Sequence, residues 1–328
     1  MSDFVLKIAL TFDVEHNSSY YFEKLGEKNS GLTKAAPEVL EMLTKQRVPG
    51  TWFIAHDNEN KIDQEFPSLV EKMNENGEIG CHVHFRKGSG NNSAYERSMS
   101  FQTDIIGNST RSLREIGFDV RSFRGGAYFF DENTLRVLES LEYRTDSSVV
   151  PGLYSKPVTD LVVDHKRRLF SKPYFPSHAN HCIPGNSKIL EIPISICPCI
   201  RLHHKLFSFF IGRPMLICEP PDVLLRELNI ISNDSMKLAQ QLLPVVLSAH
   251  SYDFLINTTK QIRDLELFIT TAREKMNARF VTLEDIRKEY FNKTYQCENL
   301  ESLFTVTTSD VLQYVNRVPF LRKLLDYF

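Results

Sequence analysis

The sequence predicts an α/β fold, a distorted (β/α) barrel with seven or eight parallel strands. Short apolar runs alternate with stretches of helical spacing along most of the chain, and the first strand, 5–12, is apolar on both faces, as a buried parallel strand should be. In addition Asp13, Glu15, His82, His84, Arg124, Asp146 and His250 all fall where a predicted strand runs out. In barrels of repeated strand-helix units reactive side chains gather at the carboxyl ends of the strands, so these scattered residues can share one pocket. An open doubly wound sheet is the alternative, because periodicity does not report closure.

The elements follow in order. Pro37 opens a helix whose stripe is Val39, Leu40 and Leu43, and 51–54 is the second strand. A helix from Pro67, carrying Leu69, Val70 and Met73, ends near Gly77 and leads to the strand 78–83. Helical spacing over 99–116 stops at Gly117 before the strand 120–123, and Asp131 is a good N-cap for the helix that precedes the strand 144–148. Residues 149–188 carry several Pro, His and Ser without periodicity and read as a long loop region beside the active face. Strands at 189–196, 243–249 and 279–282, separated by helices near 222–241 and 258–277, complete the barrel. Residues 1–290 thus form one barrel and 291–328 a helical extension, whose stripe from Val311 to Leu325 either packs on the barrel or meets a membrane surface or partner through flanking Arg317, Arg322 and Lys323.

Composition excludes several classes. With 42% hydrophobic residues and 23 Phe in 328 residues, the chain can bury a large core. Lys and Arg number 39 against 41 acids with no basic stripe, so nucleic acid is not the expected partner and a small or sugar-like substrate is. The start of the chain, with Asp3 and Lys7, reads as a strand rather than a secretory signal, and no run of about 18 apolar residues spans a membrane. A cytoplasmic protein with free thiols at irregularly spaced Cys81, Cys182, Cys197, Cys199, Cys218 and Cys297 is expected.

Side chains alternate across a strand, so Asp13 and Glu15 project to one side while Val14 faces the other, and His82 pairs with His84 in the same way. Two acids and two imidazoles from neighbouring strand ends make a nitrogen-and-oxygen set that suits Zn²⁺, the alternative being hydrogen bonds to loop backbone. His178, His181, His203 and His204 lack matching acids in sequence and read as loop or surface residues.

Five segments, Thr11-Phe12-Asp13-Val14-Glu15, Glu78 to His84, Phe123 to Tyr128, Asp146-Ser147-Ser148 and Leu247 to His250, resemble the ordered motifs of polysaccharide deacetylases. The segments 173–177, 190–193 and 279–284 resemble the branch whose first motif reads Thr-Phe-Asp-Val-Glu, so the resemblance spans about 5–290. It implies a distorted (β/α) barrel that hydrolyses N-acetyl groups on amino sugars, often with a divalent metal such as Zn²⁺. By that resemblance Asp13 is the catalytic base, His82 a metal ligand, Arg124 the residue orienting the base and His250 the general acid. Typical members carry a second Asp directly after the base and a second His four positions after the first, where this chain has Val14 and Arg86. Glu15 and His84 are the expected replacements.

The chemistry asks for these residue types. Amide hydrolysis needs an activated water, which a metal and Asp13 would supply, and a protonated leaving amine, which the imidazole of His250 would supply. Arg124 would hold the Asp13 carboxylate through a two-pronged contact. Gly125 and Gly126 would let a tight turn approach the substrate, and Tyr128 would stack on a sugar or fill core. Asp146 would tune His250 or cap the next segment. An amino-sugar deacetylase acting on a polysaccharide precursor is thus the expected activity. A metal-independent hydrolase of a small amide, allantoinase- or deformylase-like, and a non-catalytic glycan-binding barrel are the alternatives.

Overall fold

The computed structural model describes residues 5–16, 29–88, 94–158, 161–168, 171–204, 207–237 and 244–292. Its centre is an all-parallel sheet of strands β1 (Leu6–Val14), β2 (Gly50–Ala55), β3 (Glu78–Val83), β4 (Ser122–Gly125), β5 (Thr145–Asp146), β6 (Leu190–Glu191), β7 (Val245–His250) and β8 (Ala278–Phe280). The order is β6-β5-β4-β3-β2-β1-β7, with β8 also pairing β1. Helices α1 (Ala36–Lys45), α2 (Pro67–Asn76), α3 (Met99–Glu115), α4 (Glu132–Ser140), α5 (Pro221–Lys237), α6 (Thr258–Met276) and α7 (Leu283–Asn292) fill the connections. The expected α/β barrel is therefore present.

Alternation along β1 sorts the core. Leu6, Ile8, Leu10, Phe12 and Val14 join the large apolar cluster that includes Val39 and Leu43 of α1, where Phe12 stacks on Trp52 at 4.4 Å. Ala9 belongs to a second cluster with Phe53, Leu190, Ile192, Val246, Val281, Leu283 and Ile286. The chain after β8 brings the last three of these beneath the sheet, where Leu283 N donates to Thr51 Oγ1 and Glu284 N to Glu78 Oε2 near the amino ends of β2 and β3. Each large apolar side chain buried there contributes about 1.5–3 kcal/mol. One end of the barrel is thus plugged by hydrocarbon, and polar side chains collect at the other.

Capping follows the expected chemistry. Asp131 accepts from Asn133 N and Thr134 N, and Thr134 Oγ1 in turn accepts from Asp131 N, so α4 begins on a reciprocal cap. Pro residues stand in the first turns of α1 and α2, where a missing N–H costs nothing.

Several expectations need correction. The fourth strand lies two residues later than 120–123, at Ser122–Gly125. The strand expected over 144–148 is only Thr145–Asp146, because Asp146 Oδ2 takes the N–H of Ser148 and turns the chain. The strand expected over 189–196 keeps parallel pairing only at Leu190–Glu191; Pro193 has no N–H to give a ladder, and Ser195 bonds Val246 of β7 through both N–H and hydroxyl. The ring is closed there by those bonds and by a single parallel bridge between Leu216 and Ser248 rather than by a continuous strand pair, which is the distortion. The region 149–188 contains two hairpins, Tyr154–Val158 with Leu161–Asp164 and Pro176–Ser177 with Asn180–Pro184. Ile196–His204 pairs with Phe207–Pro214 in a third hairpin. Of the expected extension 291–328, residues 293–328 lie outside the described residues.

Candidate active site

Register brings the predicted residues together. Asp13 is opposite His250 on β7 and Phe53 on β2, and His82 is opposite Arg124 on β4. Phe53 in turn pairs with Gly80, so the His82 and Arg124 pair stands two residues beyond the Asp13 and His250 pair, and all four lie toward the carboxyl ends of their strands. Asp13, Glu15, His82 and Arg124 are buried, whereas His84 and His250 are partly open.

Arg124 is wholly buried, which requires its donors to be satisfied internally. Nη1 donates to Asp13 Oδ1 at 2.9 Å, Nη2 to Thr11 Oγ1 at 2.8 Å and Ser147 Oγ at 3.1 Å, and Nε to the Ser147 carbonyl at 2.8 Å. The guanidinium also covers the Phe53 ring, 4.4 Å from its centroid. The two-pronged contact expected from sequence is a single one: Thr11 and Ser147 take the other prong, so Asp13 Oδ2 keeps its lone pairs for other work.

His82 Nδ1 donates to the Arg124 carbonyl at 3.0 Å, which leaves Nε2 as the acceptor. That atom lies 3.3 Å from His84 Nε2 and 3.7 Å from Glu15 Oε2, while His84 Nε2 lies 2.7 Å from the same Glu15 oxygen. One atom from each of the three residues falls within 4.8 Å of the others, the one such group among the described residues. Glu15 and His84 thus occupy the places expected of them beside His82. Burial opposes charge on both, yet the His84 cation holds the Glu15 carboxyl well below its usual range, and the Glu15 carboxylate lifts His84 to about 9. A carboxylate and two imidazoles, one with its outer nitrogen fixed on a carbonyl, fit a small divalent cation that would replace the shared proton.

Loop geometry completes the group. His84 N donates to Asp57 Oδ2 at 2.9 Å, a residue sequence reasoning missed because its role is a backbone contact. A Cβ on Gly126 would lie 2.5 Å from the His84 ring, and one on Gly125 would lie 1.9 Å from the Phe129 carbonyl oxygen. Any side chain at either position would therefore displace the His84 ring or the turn that follows. Ala127 and Tyr128 follow with φ of 54° and 61°, left-handed conformations that cost on the order of 1–3 kcal/mol each in non-glycine residues. Tyr128 packs against the interior apolar cluster, and burial, then the nearby Asp13 charge, push its hydroxyl up to about 12.

On β7, His250 Nε2 stands 4.0 Å from Asp13 Oδ2 and 3.8 Å from Glu15 Oε1. Its Nδ1 bonds Asp253 Oδ2 at 3.1 Å, and that same oxygen accepts the His250 N–H at 2.7 Å. Burial lowers the imidazole's affinity for a proton, but the Asp253 hydrogen bond and charge, then Glu15 and Asp13, raise it to about 9. Asp253 therefore holds the position for which Asp146 was one of two readings. Asp146 instead accepts from Ser148 N at 3.0 Å and Ser148 Oγ at 2.8 Å, in line with its capping reading. It also shares its wholly buried place with Glu191: burial raises both carboxyls, and the Asp146 charge drives Glu191 well above its ordinary value. Tyr252 stacks on His250, with centroids 4.8 Å apart and planes 9° apart, and its hydroxyl donates to Glu15 Oε1 at 3.2 Å. The signal for Asp253 was its place three residues after His250; nothing in the sequence marked Tyr252.

Histidines outside the group do have acids. His178 bonds Glu139 at 2.8 Å and His181 bonds Glu132 at 3.0 Å, across to α4 rather than within their own loop, which corrects the expectation that they lack partners. Among the described thiols, Cys81 and Cys182 are buried and take part in no disulfide. No described helix is long and apolar enough to cross a membrane.

Comparison with known proteins gives one family and several structures of one fold. Residues 6–145 match the family described as Polysaccharide deacetylase. No curated protein matches the chain. Among solved structures, a Mycobacterium smegmatis protein assigned as a polysaccharide deacetylase is 16% identical with a TM-score of 0.56, over 92% of this chain and 97% of that one. A Parabacteroides distasonis protein assigned as a glycoside hydrolase/deacetylase is 13% identical with a TM-score of 0.60, over 88% and 72%. The allantoinase PuuE is 14% identical with a TM-score of 0.56, over 90% and 93%. At such identities these likenesses establish the barrel and nothing about substrate.

Proposed function

We propose that this chain, whose residues 6–145 belong to the polysaccharide deacetylase family, is a hydrolase that removes the N-acetyl group from an amino sugar. The observation that carries the reading is the convergence of Asp13, held by Arg124, and His250, held by Asp253, on the Glu15, His82 and His84 group at one end of the barrel.

Glu15, His82 and His84 would hold a divalent cation, Zn²⁺ suiting the donor set best. When bound, such an ion would polarise the amide carbonyl and acidify the attacking water. The remaining work falls to the chain. Arg124 occupies Oδ1 of Asp13, so Oδ2 is the oxygen that takes the proton of the water as its oxygen bonds the carbonyl carbon. His250 is protonated at neutral pH, with its Nε2 directed toward the same space, and gives its proton to the departing amine as the carbon-nitrogen bond breaks. Acetate and a free amino sugar result.

A second reading rests on Arg86, which stands where typical family members place their second His. Its Nη1 lies 3.3 Å from Glu59, and its guanidinium covers Tyr95, so it offers no lone pair to a metal. A metal-free hydrolase of a small amide is the activity this substitution favours. Metal content and acetate release measured together on the wild type, His82→Ala and Asp13→Asn separate the two. The first reading expects His82→Ala to lose both and Asp13→Asn to lose turnover alone, by about 100-fold or more. Full turnover in a metal-free wild type would establish the second reading, and glycan binding without any acetate release would make the barrel a binding module.

A further inference from the structure

Tyr252 touches both Glu15 and His250, and neither the base nor the acid assignment uses it. Its hydroxyl donates to Glu15 Oε1 at 3.2 Å, while Glu15 Oε2 is the atom that faces His84 at 2.7 Å and His82 at 3.7 Å. The two oxygens of one carboxylate are thereby given different tasks. The Tyr252 ring lies nearly parallel to His250 at 4.8 Å, and His250 Nε2 is 3.8 Å from the same Oε1. Tyr252 is buried and its neighbour Ser251 is tied to β1: Ser251 N donates to the Asp13 carbonyl and Ser251 Oγ to the Glu15 carbonyl at 2.7 Å. The ring therefore stands on a segment fixed to the strand that carries both acids.

We propose that Tyr252 is a positioning residue that restricts Glu15 to one-oxygen coordination and keeps His250 clear of the cation. A carboxylate can bind a metal through one oxygen or two, and the free alternative is closed when a donor already occupies the second oxygen. With Oε1 held, Glu15 would offer one oxygen beside the two nitrogens of His82 and His84, a set of three that would keep a position open for water or the substrate carbonyl, as catalytic sites require. The stacked ring meanwhile prevents the His250 imidazole from swinging toward the ligand group, where it would become a further ligand instead of an acid.

This inference rests on the proposed cation site, and Co²⁺ tests it on the full-length protein without relying on turnover. Four-coordinate Co²⁺ absorbs strongly in the visible and higher coordination weakly, so the spectrum reports how many atoms bind. Tyr252→Phe keeps the ring and removes the hydroxyl; the expected result is a weaker visible band and a 10- to 100-fold weaker Co²⁺ affinity, the usual scale for losing such a contact, about 10 to 100. Tyr252→Leu removes the ring as well and should add a fall in kcat with little further change in affinity. A Tyr252→Phe protein with the wild-type spectrum and affinity would overturn the positioning role while leaving the cation site intact. A wild type that takes up no Co²⁺ would overturn the site and this inference together.

Discussion

Asp13 and His250 sit directly opposite each other on adjacent parallel strands, with Oδ2 and Nε2 4.0 Å apart, and each is held from behind by a different partner. Arg124 reaches Asp13 from β4, and Asp253 reaches His250 from the turn after β7. At that separation one atom lying beside the pair can stand within hydrogen-bond distance, about 2.8 Å, of both Oδ2 and Nε2.

Removal of the Asp253 charge should move the alkaline limit of activity. The His250 imidazolium is favoured in the fold, so it is fully present below its ordinary value of 6.5 and is lost as pH rises through about 9. Asp253→Asn removes the largest favourable contributor after burial has acted against charge. Its kcat/KM profile should fall off at lower pH than that of the wild type, while activity at pH 6 changes least. An unmoved alkaline limb would show that another group sets it.

Arg124 is the test of buried charge. Arg124→Met leaves Asp13 without its cation in a dry site, and breaking a buried pair from one side costs about 3–5 kcal/mol. Urea unfolding should report a loss of that order, with acetate release lost as well. Wild-type stability in this variant would mean that solvent reaches Asp13, contrary to its burial.

Gly126→Ala tests the packing of His84. The added methyl would lie 2.5 Å from the imidazole, so the ring or the turn must shift. Overpacking of this kind costs about 1–3 kcal/mol. Bound divalent metal per chain, determined by elemental analysis, should fall along with thermal stability; full metal content would place the His84 ring elsewhere.

The Asp146 and Glu191 pair gives stability a signature in pH. Glu191 keeps its proton in the fold well above the ordinary carboxyl value of 4.5, because burial and the Asp146 charge oppose ionisation. The unfolded chain releases that proton once pH passes its ordinary value, so the fold loses stability as pH rises from there toward the folded-state value. The slope is about 1.4 kcal/mol per pH unit for one proton. Glu191→Gln cannot ionise and should flatten this decline in denaturant midpoints measured between weakly acidic and neutral pH. A variant that falls in parallel with the wild type would assign the proton to another group.

Residues on regular strands were legible, because a period of two determines which side chains share a face. Asp13 with Glu15 and His82 with His84 could be paired from spacing alone, and strand ends placed Arg124 and His250 at the same end of the barrel. Contacts made by turns were not legible in this way. Asp57, Asp253 and Tyr252 act through loops whose paths depend on tertiary packing, and Asp146 was offered two roles because a carboxylate at a strand end looks the same whichever neighbour it meets. The length of β6 was also hidden: an apolar run over 189–196 resembles one strand, but Pro193 and the demand of Val246 for partners divide it.

The join between β6 and β7 gives the ring an uneven stiffness. Around most of the circumference each strand is laced to its neighbours in register, but among the described residues this seam is held by Ser195 on Val246 and by the single bridge in which Ser248 bonds Met215 and Ile217. Strain or thermal motion will open the cylinder here first. Amide protons of β7 that point to the seam should therefore exchange with solvent sooner than those locked against β1, and the wall beside His250 is where the enclosure has its give.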